Sequence, residues 1–345
     1  MDKNRLYFFD NLKFILITLV VIGHFLMFSS ENEYAKGVFL FIYSFHMPLF
    51  VFITGFFAKK IIHGDENKRL NKIISFLIIY LIYKFIVFLM YNYIYNEEYD
   101  FHIFTEHEVP WYLLACIAWI IITYAFKNIK FKYLFIFSII CFLFIGYDNN
   151  IVDQFCLSRV IIFYPFYLLG YYMSENQLNK LVIFLHNKKR YSIFSIIFLL
   201  IIYFMFIYYA NDLYFLRPFF TAKNPFIYIK FPIDLLCTGV IFRIIWFMYL
   251  ILISLAIFSI IPKEKTIYSK FGSRTLQVYV LHFIIVLIVL YKPIFNVLSN
   301  LFGYHVYAVL IIIGVITSSI LSLKCFEKPF NKIMRYNFKK LYSNK

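Results

Sequence analysis

Charge is scarce in this sequence: Asp, Glu, Lys and Arg make up 15% of its 345 residues, against about 25% in a typical soluble domain. Apolar residues reach 63%, more than a soluble core can absorb. They come in runs of about 20 residues, the length that crosses roughly 30 Å of hydrocarbon at about 1.5 Å per helical residue. The runs also lack the alternation of barrel strands, and a backbone in lipid must satisfy its polar groups within one segment or in a closed barrel. A helical bundle is what remains. Cysteine is sparse and odd in number, and Cys116, Cys141, Cys156, Cys237 and Cys325 show no paired metal-ligand spacing, so they read as packing residues. No internal repeat and no soluble domain interrupts the pattern, which makes residues 1–345 a single transmembrane domain.

The expected fold is therefore an all-α integral membrane protein of about ten helices. Its spans lie near 6–28, 37–58, 73–95, 111–126, 133–146, 158–173, 191–210, 240–261, 276–291 and 305–323. With both termini in the cytoplasm, the inner segments hold 25 Lys and Arg, the outer segments 5 and the spans 4. The positive-inside rule then fixes the orientation. It also accounts for the net charge of +16 through topology and anionic lipid, so nucleic acid is not an expected partner. The first span carries Asp10, Lys13 and His24 and has no small-residue cleavage site, so it is expected to stay in place as a helix.

An ionisable group within a membrane helix costs about 2.5–3.5 kcal/mol or more, so each one is a functional hypothesis. Lys13 and His24 are 11 residues apart, which places them within roughly 20° of one helix face and about 16 Å apart along the axis. They form one polar stripe. Asp10 is three residues before Lys13 and can pair with it, but about 21 Å of helix keeps it from orienting His24. A core histidine bonded to a neighbouring helix is the competing reading for His24. His46 and His282 also lie within spans, and three intramembrane histidines point to a polar cavity or a proton path. Arg159 and Arg243 open the sixth and eighth spans, where they can either snorkel to the interface or face the bundle. Lys84, near the middle of the third span, is expected to point inward and meet a partner. In the basic loop 59–72, Arg69 and Lys72 are three apart at a helix start and can reach one phosphate, or simply contact lipid headgroups.

These residues fall into ordered motifs. Arg5-Leu-Tyr-Phe-Phe-Asp10-Asn-Leu-Lys13 precedes His24 with ten residues between Lys13 and the histidine, and Phe45-His46-Met47-Pro48 runs on to Thr54-Gly55-Phe56. Arg69-Leu-Asn-Lys72, Pro110-Trp111-Tyr112-Leu113, Arg159 with Pro165 to Tyr171, Gly272-Ser273-Arg274-Thr275 with Tyr279 and His282, and Glu327-Lys328-Pro329 follow. The set resembles the membrane-bound acyltransferases of the acyltransferase 3 type, in particular their sugar O-acetylase branch. Thr54 stands where that family usually has Ser, and Lys72 where it has a second Arg.

The resemblance implies an enzyme of the cell membrane that moves an acyl group, usually acetyl, from cytoplasmic acetyl-CoA to a hydroxyl of a capsular or other surface polysaccharide. Acyl-CoA is then a substrate, no cofactor is tightly bound, and no metal is expected. Membrane lipid, a glycan or lipid-linked oligosaccharide and the surface-polysaccharide machinery are the expected partners. His24 is the expected catalytic base, because a sugar hydroxyl is a poor nucleophile at neutral pH and a neutral imidazole can take its proton. Asp10, Lys13, Arg69 and Lys72 are the acyl-CoA-side candidates. His46, Trp111, Arg159, Tyr279 and His282 are the acceptor-side or oxyanion candidates. An exporter of polysaccharide or lipid-linked sugar is the rival reading, although a conduit does not require a basic residue and a histidine on one stripe.

Overall fold

Every apolar run becomes helix in a computed structural model, which describes residues 6–27, 31–96, 98–105, 109–150, 154–231 and 237–341. Arg5, at the head of the first motif, lies outside the described residues. In chain order the helices are α1 (Tyr7–Leu26), α2 (Glu33–Tyr43), α3 (His46–Ile62), α4 (Glu66–Met90, continued by a π turn Tyr91–Tyr95), α5 (Trp111–Ala125), α6 (Phe131–Phe144), α7 (Leu157–Tyr172) and α8 (Glu175–His186). They continue with α9 (Lys189–Tyr208), α10 (Arg217–Phe220), α11 (Thr238–Ile260), α12 (Ser269–Gly272), α13 (Thr275–Leu290), α14 (Lys292–Phe302), α15 (Val306–Leu321) and α16 (Glu327–Met334). Six continuous stretches are long and apolar enough to cross a membrane: Tyr7–Leu26, Glu33–Ile62, Glu66–Tyr95, Lys189–Tyr208, Thr238–Ile260 and Lys292–Leu321. The protein is thus a multi-pass helical membrane protein. On α9 only Phe206 is fully buried; Phe198, Leu199, Ile202, Tyr203 and Ile207 pack half-buried toward α2 and α11, while Ile193, Phe194, Ile197, Leu200, Ile201 and Phe204 face outward, as the lipid-facing side of a membrane helix must.

The second expected span is two helices. Pro48 has no backbone N–H, so it cannot bond the Ser44 carbonyl four residues back. That carbonyl instead accepts from the Trp246 indole at 2.8 Å, and the Ser44 hydroxyl bonds the Tyr249 hydroxyl at 2.7 Å. The chain bends at Ser44 and Phe45, and the bend turns His46 inward, where it is 2% exposed. Helix also forms outside the expected spans, in α8, α14 and α16, of which α14 and α16 are strongly amphipathic.

Helix α1 sits at the centre, packed against α2, α3, α12, α13 and α15. Its polar stripe therefore faces protein. The contact with α12 is backbone to backbone, since a Cβ on Gly272 would fall on the Asp10 carbonyl. Asn11, wholly buried, fastens the same corner: its amide donates to the Pro262 and Glu264 carbonyls at 2.8 and 2.9 Å and accepts from Thr266 and Ser269 at 2.7 and 2.6 Å. Helices α3 and α7 approach as closely, because a Cβ on Gly55 would meet the Tyr167 carbonyl and one on Gly170 the Phe52 carbonyl. Small residues of this kind let membrane helices make close van der Waals contact where lipid supplies no hydrophobic drive. The result places α1, α3, α5 and α13 around shared space.

Candidate active site

Four residues of α1 line that space in sequence, Lys13, Ile17, Val20 and His24, at the i, i+4, i+7, i+11 spacing of one helix face. The first three border a narrow cavity of 280 Å³, and His24 borders a wide one of 640 Å³. Met47 lines both, which marks their junction. The stripe read from helical phase is a real surface.

The narrow cavity has cations toward one end and hydroxyls toward the other. Lys13 pairs with Asp10 at 3.0 Å, as the three-residue spacing predicts, and Lys72 lines the same cavity with its ammonium 4.5 Å from the centre of the Phe76 ring. Arg69 does not line it. Its guanidinium lies 3.5 Å from the centre of the Tyr124 ring and donates to the Ile62 carbonyl at 3.3 Å, so Arg69 and Lys72 do not converge on one point as their spacing suggested. Helical phase put them on neighbouring faces, and the aromatic partner on α5 drew the arginine away. Further in, Thr54 donates to the Phe50 carbonyl at 2.9 Å and is hydrogen-bonded to the Tyr112 hydroxyl. Thr54 has only one proton, so the Tyr112 O–H must donate to it.

His24 and His282 form a pair at the edge of the wide cavity. His282 Nε2 lies 3.1 Å from His24 Nδ1, and the ring centres are 5.0 Å apart. His282 Nδ1 is 2.9 Å from the Val278 carbonyl. A carbonyl only accepts, so Nδ1 of His282 carries the hydrogen and its Nε2 is left with a lone pair. His24 Nδ1–H then donates to that nitrogen. Nε2 of His24 is left unprotonated, the form a general base needs. His282 was expected on the acceptor side, but it is completely buried and borders neither cavity. Its place is behind His24.

The wide cavity brings together His46, Trp111 and Arg159. His46 Nδ1 bonds the Ile42 carbonyl at 2.7 Å, which leaves its Nε2 as an acceptor too, and the Tyr43 ring lies against it at 4.8 Å. The Arg159 guanidinium sits 4.8 Å from the Trp111 ring centre. Tyr279 lines the narrow cavity and gives its hydroxyl proton to the Val109 carbonyl, which borders the wide one, so it ties the two together instead of offering an oxyanion donor. Arg217 and Lys223 complete the wall from the 209–231 segment. The signal for that segment in the sequence is its three cations, Arg217, Lys223 and Lys230, on the cation-poor outer side.

Of the two other intramembrane cations, Lys84 meets the Thr105 carbonyl at 2.6 Å. Arg243 does not snorkel. It is wholly buried among Phe219, Phe142, Phe226 and Trp246, with ring centres 4.7 to 5.5 Å from its guanidinium.

Comparison with known proteins gives a family match over nearly the whole chain. The family model for an acyltransferase domain, of the acyltransferase 3 type, matches residues 6–324. A short stretch is similar to the Nodulation protein NolL of Sinorhizobium fredii (strain NBRC 101917 / NGR234), 44% identical over 61 residues. That stretch covers 16% of this chain and 17% of the nodulation protein. No solved structure matches.

Proposed function

This chain belongs to the acyltransferase 3 family, and on that premise we propose that it carries an acetyl group from cytoplasmic acetyl-CoA to a hydroxyl of a surface glycan. In this reading it crosses the cell membrane ten times with both ends inside, so the lysine end of the narrow cavity opens to the cytoplasm and the wide cavity faces outward. The observation that carries it is the continuous wall of α1, which leads from Lys13 through Ile17 and Val20 to His24.

Lys13 and Lys72 suit the phosphates of CoA at the mouth. The narrow, mostly apolar cavity suits an extended acyl-bearing arm, with its carbonyl delivered near Met47. The glycan enters the wide cavity and turns one hydroxyl to His24 Nε2. As the hydroxyl oxygen attacks the thioester carbon, its proton passes to Nε2, and the bond from Nδ1–H to His282 steadies the resulting imidazolium. Arg159 is the donor best placed for the oxyanion, since the protons of Tyr279 and His282 are already committed to carbonyls. Collapse then breaks the carbon–sulfur bond, and the CoA thiolate takes the proton back from His24. An O-acyl ester and free CoA leave.

The test is transfer in isolated membranes. Radiolabelled acetyl-CoA is added with the cell's surface polysaccharide from which esters have been removed, and alkali-labile label in the polysaccharide is counted. His24→Ala, at matched protein level, is expected to lose about 10²–10⁴ of the rate, the worth of a general base. Label that appears equally without the protein, or transfer by His24→Ala at the parental rate, would refute this reading. Export of polysaccharide without any ester formation would favour the exporter.

A further inference from the structure

The wide cavity gathers cations on the side of the molecule that has few. Two of the five Lys and Arg in the outer segments, Arg217 and Lys223, line it, and Arg159 joins them from α7. No Asp or Glu is present in the lining among the described residues. Topology explains cations at the cytoplasmic face, but it gives no reason for a cluster here.

Arg217 is also held in place. Its guanidinium lies 5.6 and 5.7 Å from the ring centres of Phe39 and Tyr214, and Nη2 donates to the Met27 carbonyl at 3.0 Å. Met27 caps α1 three residues beyond His24, so the arginine is tethered to the end of the helix that carries the base. The bond to Met27 uses one of five N–H donors. What remains is a planar fork whose geometry matches a carboxylate or a phosphate, and whose position is fixed before any ligand arrives.

We infer that the acceptor bound in the wide cavity is anionic, and that Arg217 holds its carboxylate or phosphate while a neighbouring hydroxyl faces His24. This rests on the glycan O-acyltransferase reading above. It adds a substrate class: acidic sugars or phosphate-bearing glycans, in preference to neutral ones.

The experiment compares three forms of the ester-stripped surface polysaccharide as acceptors for labelled acetyl-CoA: untreated, carboxyl-reduced, and dephosphorylated with hydrogen fluoride. The parental protein is expected to lose about tenfold to a hundredfold in kcat/KM on one treated form, the worth of a charge-assisted hydrogen bond. Loss on carboxyl reduction identifies a sugar acid, and loss on dephosphorylation a phosphate. Arg217→Gln should narrow the gap between untreated and treated acceptor, Arg217→Lys should keep part of it, and neither should change KM for acetyl-CoA. Equal use of all three forms by the parental protein overturns the inference and leaves the acyltransferase reading standing. No transfer to any form overturns both. The parental comparison decides by itself if the Arg217 variants fail to accumulate.

Discussion

Replacing His282 with Ala removes the acceptor for His24 Nδ1–H without touching either cavity wall. The bond is 3.1 Å long between neutral rings, and it becomes charge-assisted when His24 takes the acceptor's proton. A hydrogen bond to a charged group is worth about 1.5–3 kcal/mol. The bond strengthens as the imidazolium forms, so the loss falls on kcat, about tenfold to a hundredfold at roughly 1.4 kcal/mol per decade. The assay is steady-state transfer from labelled acetyl-CoA in membranes with matched protein content. KM for acetyl-CoA should stay at the parental value, because His282 borders neither cavity. Gln at this position can present an acceptor oxygen near the place of Nε2 and should recover part of kcat, where Phe should not. In a double variant with His24→Ala, the His282 substitution should cost nothing further, since residues that act as a unit are not additive. A His282→Ala protein at the parental kcat, or losses that simply add in the double variant, would refute the relay.

Two further outcomes test the rest of the map. Lys72→Ala should raise KM for acetyl-CoA about tenfold or more through a lost charge-assisted contact, whereas Arg69→Ala, which strips the Tyr124 and Ile62 contacts, should lower the amount of protein in membranes and leave KM near the parental value. The reverse pattern would move the phosphate site to Arg69. A cysteine at Asp100, exposed in the loop after α4, should react with an impermeant thiol reagent on intact cells. Labelling only after permeabilisation would invert the assigned orientation.

The stripe on α1 was legible in the sequence because one helix carries it and local geometry decides it. The pairing of Asp10 with Lys13 and the shared face of Lys13 and His24 follow from about 100° per residue. Contacts between distant segments were not legible in the same way. His282 could be named as a buried histidine, but its place behind His24 depends on the packing of α13 on α1, 258 residues apart in the chain. Arg69 shows the limit most clearly: its spacing to Lys72 is right for a shared ligand, yet a ring on another helix takes the guanidinium. The bend at Ser44 was half legible, since Pro48 announces a missing hydrogen bond, while the Trp246 indole that donates to the freed carbonyl could only be found in three dimensions.

The intramembrane cations show why their cost alone does not identify a site. Each of Lys13, Lys84, Arg159 and Arg243 carries the same penalty in lipid, and each meets it differently. Lys84 reaches the Thr105 carbonyl, and Arg243 is enclosed by four aromatic rings whose π faces offset part of its desolvation. Both are thereby spent on the fold, and neither borders the narrow or the wide cavity. Lys13 is half neutralised by Asp10 and still lines the narrow cavity, while Arg159 lies over Trp111 and still lines the wide one. What separates the second pair from the first is access to space that a ligand can fill. Of the two accessible cations one borders the narrow cavity and the other the wide one, and in the proposed reaction the first suits the phosphates of acetyl-CoA and the second the charge on the carbonyl it delivers.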